Sequence, residues 1–275
     1  MTKQKKQSGL WAQVSEIALL LLIAGAIRTF GFGLYQVPTG SMETTMLVGE
    51  RFFADKFTIL FSPLKRGDII SFNDPLFNYS TNPLVYLFQQ YAWGPQNWTK
   101  RVIGIPGDTV RGVIEDGKPV VYLNGEKLNE PYLNKYPLIY VSMNTQRSYD
   151  PQLSYDHQPF YRMNPYEVQK THRFLERIGV TPIIYPGTPL HDGHGSDVFD
   201  VHLGPSQYWA MGDNRLGSSD SRYWGPLDRK FIHGKILWRI FSVDSDSSWW
   251  ILDLLRHPID FWKRVRWSRC FQSVS

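Results

Sequence analysis

Four short polar clusters hold the residue types that chemistry needs. They are Pro38-Thr39-Gly40-Ser41-Met42; Lys65-Arg66-Gly67-Asp68-Ile69-Ile70; Lys100-Arg101-Val102-Ile103-Gly104-Ile105-Pro106-Gly107-Asp108; and Met211-Gly212-Asp213-Asn214-Arg215, running on through Ser218-Ser219-Asp220-Ser221-Arg222 to Pro226. A serine hydroxyl is a weak nucleophile until a neighbouring base takes its proton. Ser41 lies in a turn where Gly40 permits a tight backbone and exposes the hydroxyl. A lysine acts as a base only when neutral, so its pKa must fall from about 10.4 toward the operating pH, at a cost of about 1.4 kcal/mol per unit that burial supplies. Lys100, between Trp98 and Val102, has neighbours that suit such burial. Taken singly, each residue has a plainer reading: a serine in a Gly/Pro turn is usually structural, a strand lysine is usually a solvated edge residue, and Asp-Asn-Arg or Asp-Ser-Arg reads as turn or cap.

Other chemistries find little support. The chain has no G-x-S-x-G elbow, Walker loop, H-E-x-x-H pair or dinucleotide glycine fingerprint. His191 and His194 read as a solvated turn in a glycine-rich loop, and no metal or cofactor is expected. Cys270 is the single cysteine, which excludes an intrachain disulfide framework and a cysteine metal cluster.

The elements that must position these clusters begin with a charged end and an apolar run. Residues 1–10 carry Lys3, Lys5 and Lys6 and no acid, and residues 251–275 carry five basic residues against two acidic ones. The net +5 therefore sits at the ends, with the long middle close to neutral, which argues against nucleic acid as a partner. Ile17 to Ile27 is uncharged, and extended to Trp11 and Tyr35 the stretch would rise roughly 37 Å as a helix, enough to cross a bilayer. The preceding lysines predict a cytoplasmic N-terminus. Ala24-Gly25-Ala26 has the form of a processing site, so a cleaved leader is the competing reading of this segment.

From residue 36 the pattern is mostly β. Arg51 to Phe57, Gly67 to Asn73, Arg101 to Val110, Val120 to Leu128, Gln207 to Gly212 and Gly234 to Val243 are short runs of β-branched and aromatic residues between turn formers. Asn124-Gly125 is a strong hairpin signal. The expected fold is mainly β, an antiparallel sheet or barrel-like core with one N-terminal transmembrane helix and an inserted cap. The segments are a basic N-terminus (1–10), the helix (11–35), the core (36–132 and 206–245), the cap (133–205) and a basic amphipathic tail (246–275). Residues 75–97 read as a second insertion, and Tyr166 to Ile178 looks helical. The Trp-rich tail fits either a membrane surface or packing on the core, with Pro258 opposing one straight helix.

In order and wording the four clusters resemble the conserved boxes of type I signal peptidases, membrane-anchored serine proteases of the Ser/Lys dyad type. Lysine in the third box, where endoplasmic-reticulum relatives have histidine, points to the bacterial or organellar branch. The resemblance implies Ser41 as nucleophile and Lys100 as general base, with the Ser41 amide and the Thr39 hydroxyl as oxyanion hole. It implies that Ser218 orients the lysine, that Arg101 pairs with Asp213, and that Asp220 pairs with Arg222 to stiffen the site. Tyr35, Val37 and Met42 are expected to line shallow pockets for small side chains. The implied substrates are signal peptides of exported preproteins, met at the inner (plasma) membrane, with membrane lipid and the protein translocase as neighbouring partners. The family usually continues Ser-Met-x-Pro-Thr-Leu, whereas here Glu43-Thr44-Thr45-Met46 follows, which affects pocket detail and leaves the dyad intact. A self-cleaving repressor with the same dyad would need a DNA-binding domain where this chain has an apolar run. A membrane-anchored β-domain with a degenerate site is opposed by the intact Ser41, Lys100 and Ser218.

Overall fold

Two antiparallel sheets form the body of the computed structural model, which describes residues 10–43, 45–47, 49–91, 94–115, 118–133, 197–215, 218–243 and 250–274. Tyr166 to Ile178 and the His191/His194 turn lie outside the described residues.

Helix α1 (Leu10–Ala26) leads into one wide π-helical turn, Ile27–Gly31. The 21 residues Trp11–Gly31 are apolar enough to cross a membrane and none is buried; Leu20, Leu21 and Leu22 are 65–69% exposed. At 1.5 Å per residue they span about 31 Å, matching a hydrocarbon core. The helix does not continue to Tyr35 as expected. Phe32–Gln36 is strand β1, paired antiparallel with β2 (Arg51–Asp55) from Phe32↔Asp55 to Gln36↔Arg51. Gly31 and Gly33 weaken the helix there, and β2 offers the backbone a ladder instead.

The remaining strands are β3 (Ile69–Asn73), β4 (Asn97–Gly104), β5 (Thr109–Glu115), β6 (Lys118–Leu123), β7 (Glu126–Lys127), β8 (Phe199–His202), β9 (Gln207–Met211), β10 (Leu227–Asp228), β11 (Ile232–Phe241) and β12 (Gln272–Ser273). The larger sheet runs β1-β2-β11-β3-β4-β9-β10, with β12 also on β11; the smaller runs β7-β6-β5-β8. Strand β8 comes from the end of the stretch read as a cap and closes the edge of the smaller sheet against β5. Between β3 and β4 a helix, α2 (Pro83–Tyr91), stands where no regular element was expected.

Turns account for how the expected strands were divided. The run Arg101 to Val110 breaks at Ile105-Pro106-Gly107-Asp108, where Gly107 has φ +88° and the Asp108 amide donates to Ile105 O. Lys65-Arg66-Gly67-Asp68 repeats it, with φ +87° at Gly67 and the Asp68 amide donating to Lys65 O. Positive φ at the third residue is what a type II turn demands and what glycine supplies without steric cost. Arg66 donates to both carboxylate oxygens of Asp108 at 2.8 and 2.6 Å, tying the turns together. Asn124 and Gly125 have φ of 52° and 86°, as the hairpin signal predicted.

The C-terminal segment packs on the core. It forms α4 (Trp250–Arg256) and α5 (Pro258–Lys263), and fully buried Phe261 joins Val243 and Val265 in an apolar cluster. Glu50, also fully buried, accepts from Arg239 (3.1 Å), Arg269 (2.7 Å), Ser242 (2.8 Å) and the Leu47 amide (2.8 Å). Part of the tail's basic charge is thus spent inside the fold, tying residue 269 to the loop that follows Ser41. Replacing Glu50 with Gln leaves two arginines facing a neutral side chain. It should cost about 3 kcal/mol, read as a lowered thermal midpoint in detergent with faster amide exchange across residues 267–274; an unchanged midpoint would show that this ion cluster does not hold the tail.

Candidate active site

Strand β4 carries Lys100 into the interior, and the single 3₁₀ turn Gly40–Met42 brings Ser41 to it. Lys100 Nζ donates to Ser41 Oγ at 2.8 Å, a contact joining residues 59 apart in sequence. Lys100 is 5% exposed and Ser41 9%. The ammonium also lies 5.9 Å from the Trp98 ring, on the strand face that carries buried Val102. Burial pushes the Lys100 pKa down from 10.5 to about 8; the Asp220 charge opposes this and the Arg222 charge assists it. A neutral amine hydrogen-bonded to a serine hydroxyl is therefore available at mildly alkaline pH, the state a general base requires.

Two buried ion pairs frame the dyad. Arg101, next to Lys100 in sequence, donates to both oxygens of Asp213 at 2.8 Å and to Gly67 O at 2.9 Å, and its guanidinium lies 4.1 Å from the Tyr132 ring. Thr45 donates to the same Asp213 carboxylate at 2.5 Å. Asp220 is the N-cap of the short helix α3 (Ser221–Trp224) and accepts from Arg222 at both oxygens (2.9 Å each) and from the Gly212 amide at 3.0 Å. Burial alone would raise the Asp220 carboxyl, but the Arg222 charge and its hydrogen bonds hold it below its usual range. Arg222 reaches on to Asp197 at 2.6 Å and Arg215 O at 2.6 Å.

The other expected residues are distributed unevenly. Thr39 Oγ1 lies 3.5 Å from Ser41 Oγ. Ser218 is buried close by, but its Oγ has no hydrogen-bond partner among the described residues. Val37 and Met42 are buried in one cluster with Met46, Phe52 and Ile69, while Tyr35 packs at its edge with its hydroxyl 3.2 Å from His233 Nδ1. Sequence reasoning missed Asn214. Its amide donates to Ser41 O and its Nδ2 to Gly40 O, both at 3.1 Å, clamping the Ser41 turn from the fourth cluster. Its place between Asp213 and Arg215 was the available signal.

With this geometry in view, residues 10–241 match the family described as signal peptidase, peptidase S26. The chain belongs to this family. Signal peptidase I of Bacillus licheniformis is 33% identical over 238 residues, covering 85% of this chain and 91% of that protein. Signal peptidase I of Leptolyngbya laminosa is 27% identical over 243 residues, covering 88% and 85%. Signal peptidase I T of Bacillus subtilis is 29% identical over 221 residues, covering 80% and 79%. The chain is accordingly a serine peptidase of the S26 family, and its apolar N-terminal helix fits membrane anchoring.

Gly212 sits at the tightest point of the site. A Cβ there would come within 2.3 Å of Ser218 Oγ and 2.5 Å of Ser41 O, so a methyl group must displace Ser218 and the Ser41 turn. Gly212→Ala should lower kcat on a preprotein by about a hundredfold, the effect of a displacement near 1 Å, with the circular dichroism spectrum retained. Full activity in that variant would mean the turn tolerates the shift.

Proposed function

We propose that the chain removes N-terminal signal peptides from exported preproteins, with Ser41 as nucleophile and Lys100 as general base. The observation that carries this reading is the 2.8 Å hydrogen bond between the Lys100 amine and the Ser41 hydroxyl in a buried site. Lys100 takes the hydroxyl proton as Ser41 Oγ attacks the scissile carbonyl, and the ammonium then gives that proton to the leaving amine. The Ser41 amide and the Thr39 hydroxyl receive the oxyanion. Ser218 supports the cycle in a definite way. Once Ser41 Oγ is bonded to carbon the lysine loses its acceptor, and a buried, unpaired hydroxyl nearby is the group left to receive it. Arg101–Asp213 and Asp220–Arg222 act as positioning pairs.

A substrate strand laid beside the site would present alternate side chains to the wall near Tyr35, Val37 and Met42, where little room favours small residues. The lysines at the start of the chain support an N-terminus on the cytoplasmic side of the plasma membrane, with the sheets on the far side where preproteins emerge from the translocase.

Purified full-length protein in detergent should cleave a preprotein with an A-x-A site, and Ser41→Ala and Lys100→Ala should each lose at least about a thousandfold. Equal cutting by either variant sinks the assignment. The base works only when unprotonated, so kcat/KM should rise with pH through a midpoint near 8 and level off above it. A flat profile between about pH 6 and 9 would exclude Lys100 as the base.

A further inference from the structure

Helix α2 faces the wrong way for a soluble domain. Leu84, Leu87, Phe88 and Tyr91, at spacing i, i+3, i+4 and i+7, are 78%, 51%, 58% and 54% exposed, whereas the opposite face is polar and turned inward. There Gln90 Nε2 donates to Lys230 O at 3.0 Å, Gln89 Oε1 accepts from the Ser80 amide at 2.8 Å, and Tyr86 packs on Tyr79. The outward stripe is continuous with the membrane span, because Tyr91 packs against Phe30 in the span's last turn with ring centroids 6.1 Å apart. Phe57 and Phe61, on the loop after β2, are exposed at 56% and 74% and pack edge to face.

Beneath α2, between it, the end of the span and the large sheet, lies a cavity of about 560 Å³. Arg28, Lys56, Arg229 and Lys230 line it, and no acidic residue does among the described residues. Arg229 donates to Ile59 O and Ile232 O, and Lys56 to Arg28 O, so backbone carbonyls hold these two side chains in place, and neither has a carboxylate partner among the described residues. Burial and the Arg28 charge hold the Lys56 ammonium below its ordinary pKa. His233 adds a directed donor. Its Nδ1 faces the Tyr35 hydroxyl at 3.2 Å, and its Nε2 is buried without a partner among the described residues on the cavity wall. If the tyrosine donates, Nε2 carries the proton.

We propose that this cavity binds the phosphate of an anionic phospholipid, whose acyl chains lie along the apolar face of α2 and Phe30 in the same leaflet. Basic side chains and a buried donor at headgroup depth, beneath an outward apolar stripe, match the two ends of such a lipid. Neither the cavity nor α2 touches the dyad, so the proposal is independent of the catalytic assignment.

The test uses the full chain. Native mass spectrometry from a nonionic detergent containing equal phosphatidylglycerol and phosphatidylcholine should show phosphatidylglycerol retained preferentially, and Lys56→Gln with Lys230→Gln should reduce that retention about tenfold or more. In a Cys270→Ser background, a fluorophore on Phe88→Cys should be quenched by a shallow nitroxide lipid in bilayers. Equal retention of both lipids, or retention unchanged in the double variant, overturns the headgroup site. A label at residue 88 that stays unquenched overturns the placement of α2. Displacement of phosphatidylglycerol by millimolar inorganic phosphate without loss of quenching would make the cavity a phosphate site and overturn the lipid assignment.

Discussion

A lysine amine that serves as a base must be neutral, and Lys100 sits in a place built largely of charges. Lys100 is buried, and burial is the largest influence lowering its pKa. Yet Asp220 and Asp213 both favour its charged form. The structure resolves this by giving each acid an arginine of its own. Arg101 takes both oxygens of Asp213, and Arg222 takes both oxygens of Asp220. With the carboxylates satisfied, desolvation prevails and the amine is left to the serine. Breaking either pair would leave an unpaired charge in the interior, the costliest kind of defect.

This requirement reaches well beyond the dyad. Arg101 is on the strand that carries Lys100, so β4 must sit between β3 and β9 for the guanidinium to meet Asp213. Asp213 in turn receives Thr45, and Asn214 holds Gly40 and Ser41, so the fourth cluster fixes the first. The loop after Ser41 is then held by Arg239 and Arg269, which both donate to Thr45 O as well as to Glu50. The sequence Glu43-Thr44-Thr45-Met46, where the family usually has proline, thus supplies other restraints: a hydroxyl on Asp213, a carbonyl on two arginines and Met46 in the core.

Much of the catalytic core was legible because local signals and chemical types agreed. Asn124-Gly125 specified its hairpin through positive φ, and the paired glycine-aspartate turns sit inside the recognised clusters. Other elements were readable but misjudged. Asn82-Pro83 is a helix start, with the Asn82 side chain accepting from the Leu84 and Val85 amides, and the apolar spacing along α2 is helical. Its apolar stripe is exposed, so it lacks the burial against the core that makes the other elements legible. The end of the span was placed too late because a strand and a helix of aromatic and glycine residues look alike until β2 is there to pair with β1.

The amino-acid sequence by itself determined the residue types in the four polar clusters, the apolar span and the charge at the chain ends, since these are matters of composition and order that no folding alters. Only the tertiary structure decided which groups meet. It put Lys100 within 2.8 Å of Ser41, assigned Asn214 to the Ser41 turn, and turned part of the basic tail inward onto Glu50. A side chain's pKa and partners depend on what surrounds it in space, and strand pairing across dozens of residues sets those surroundings.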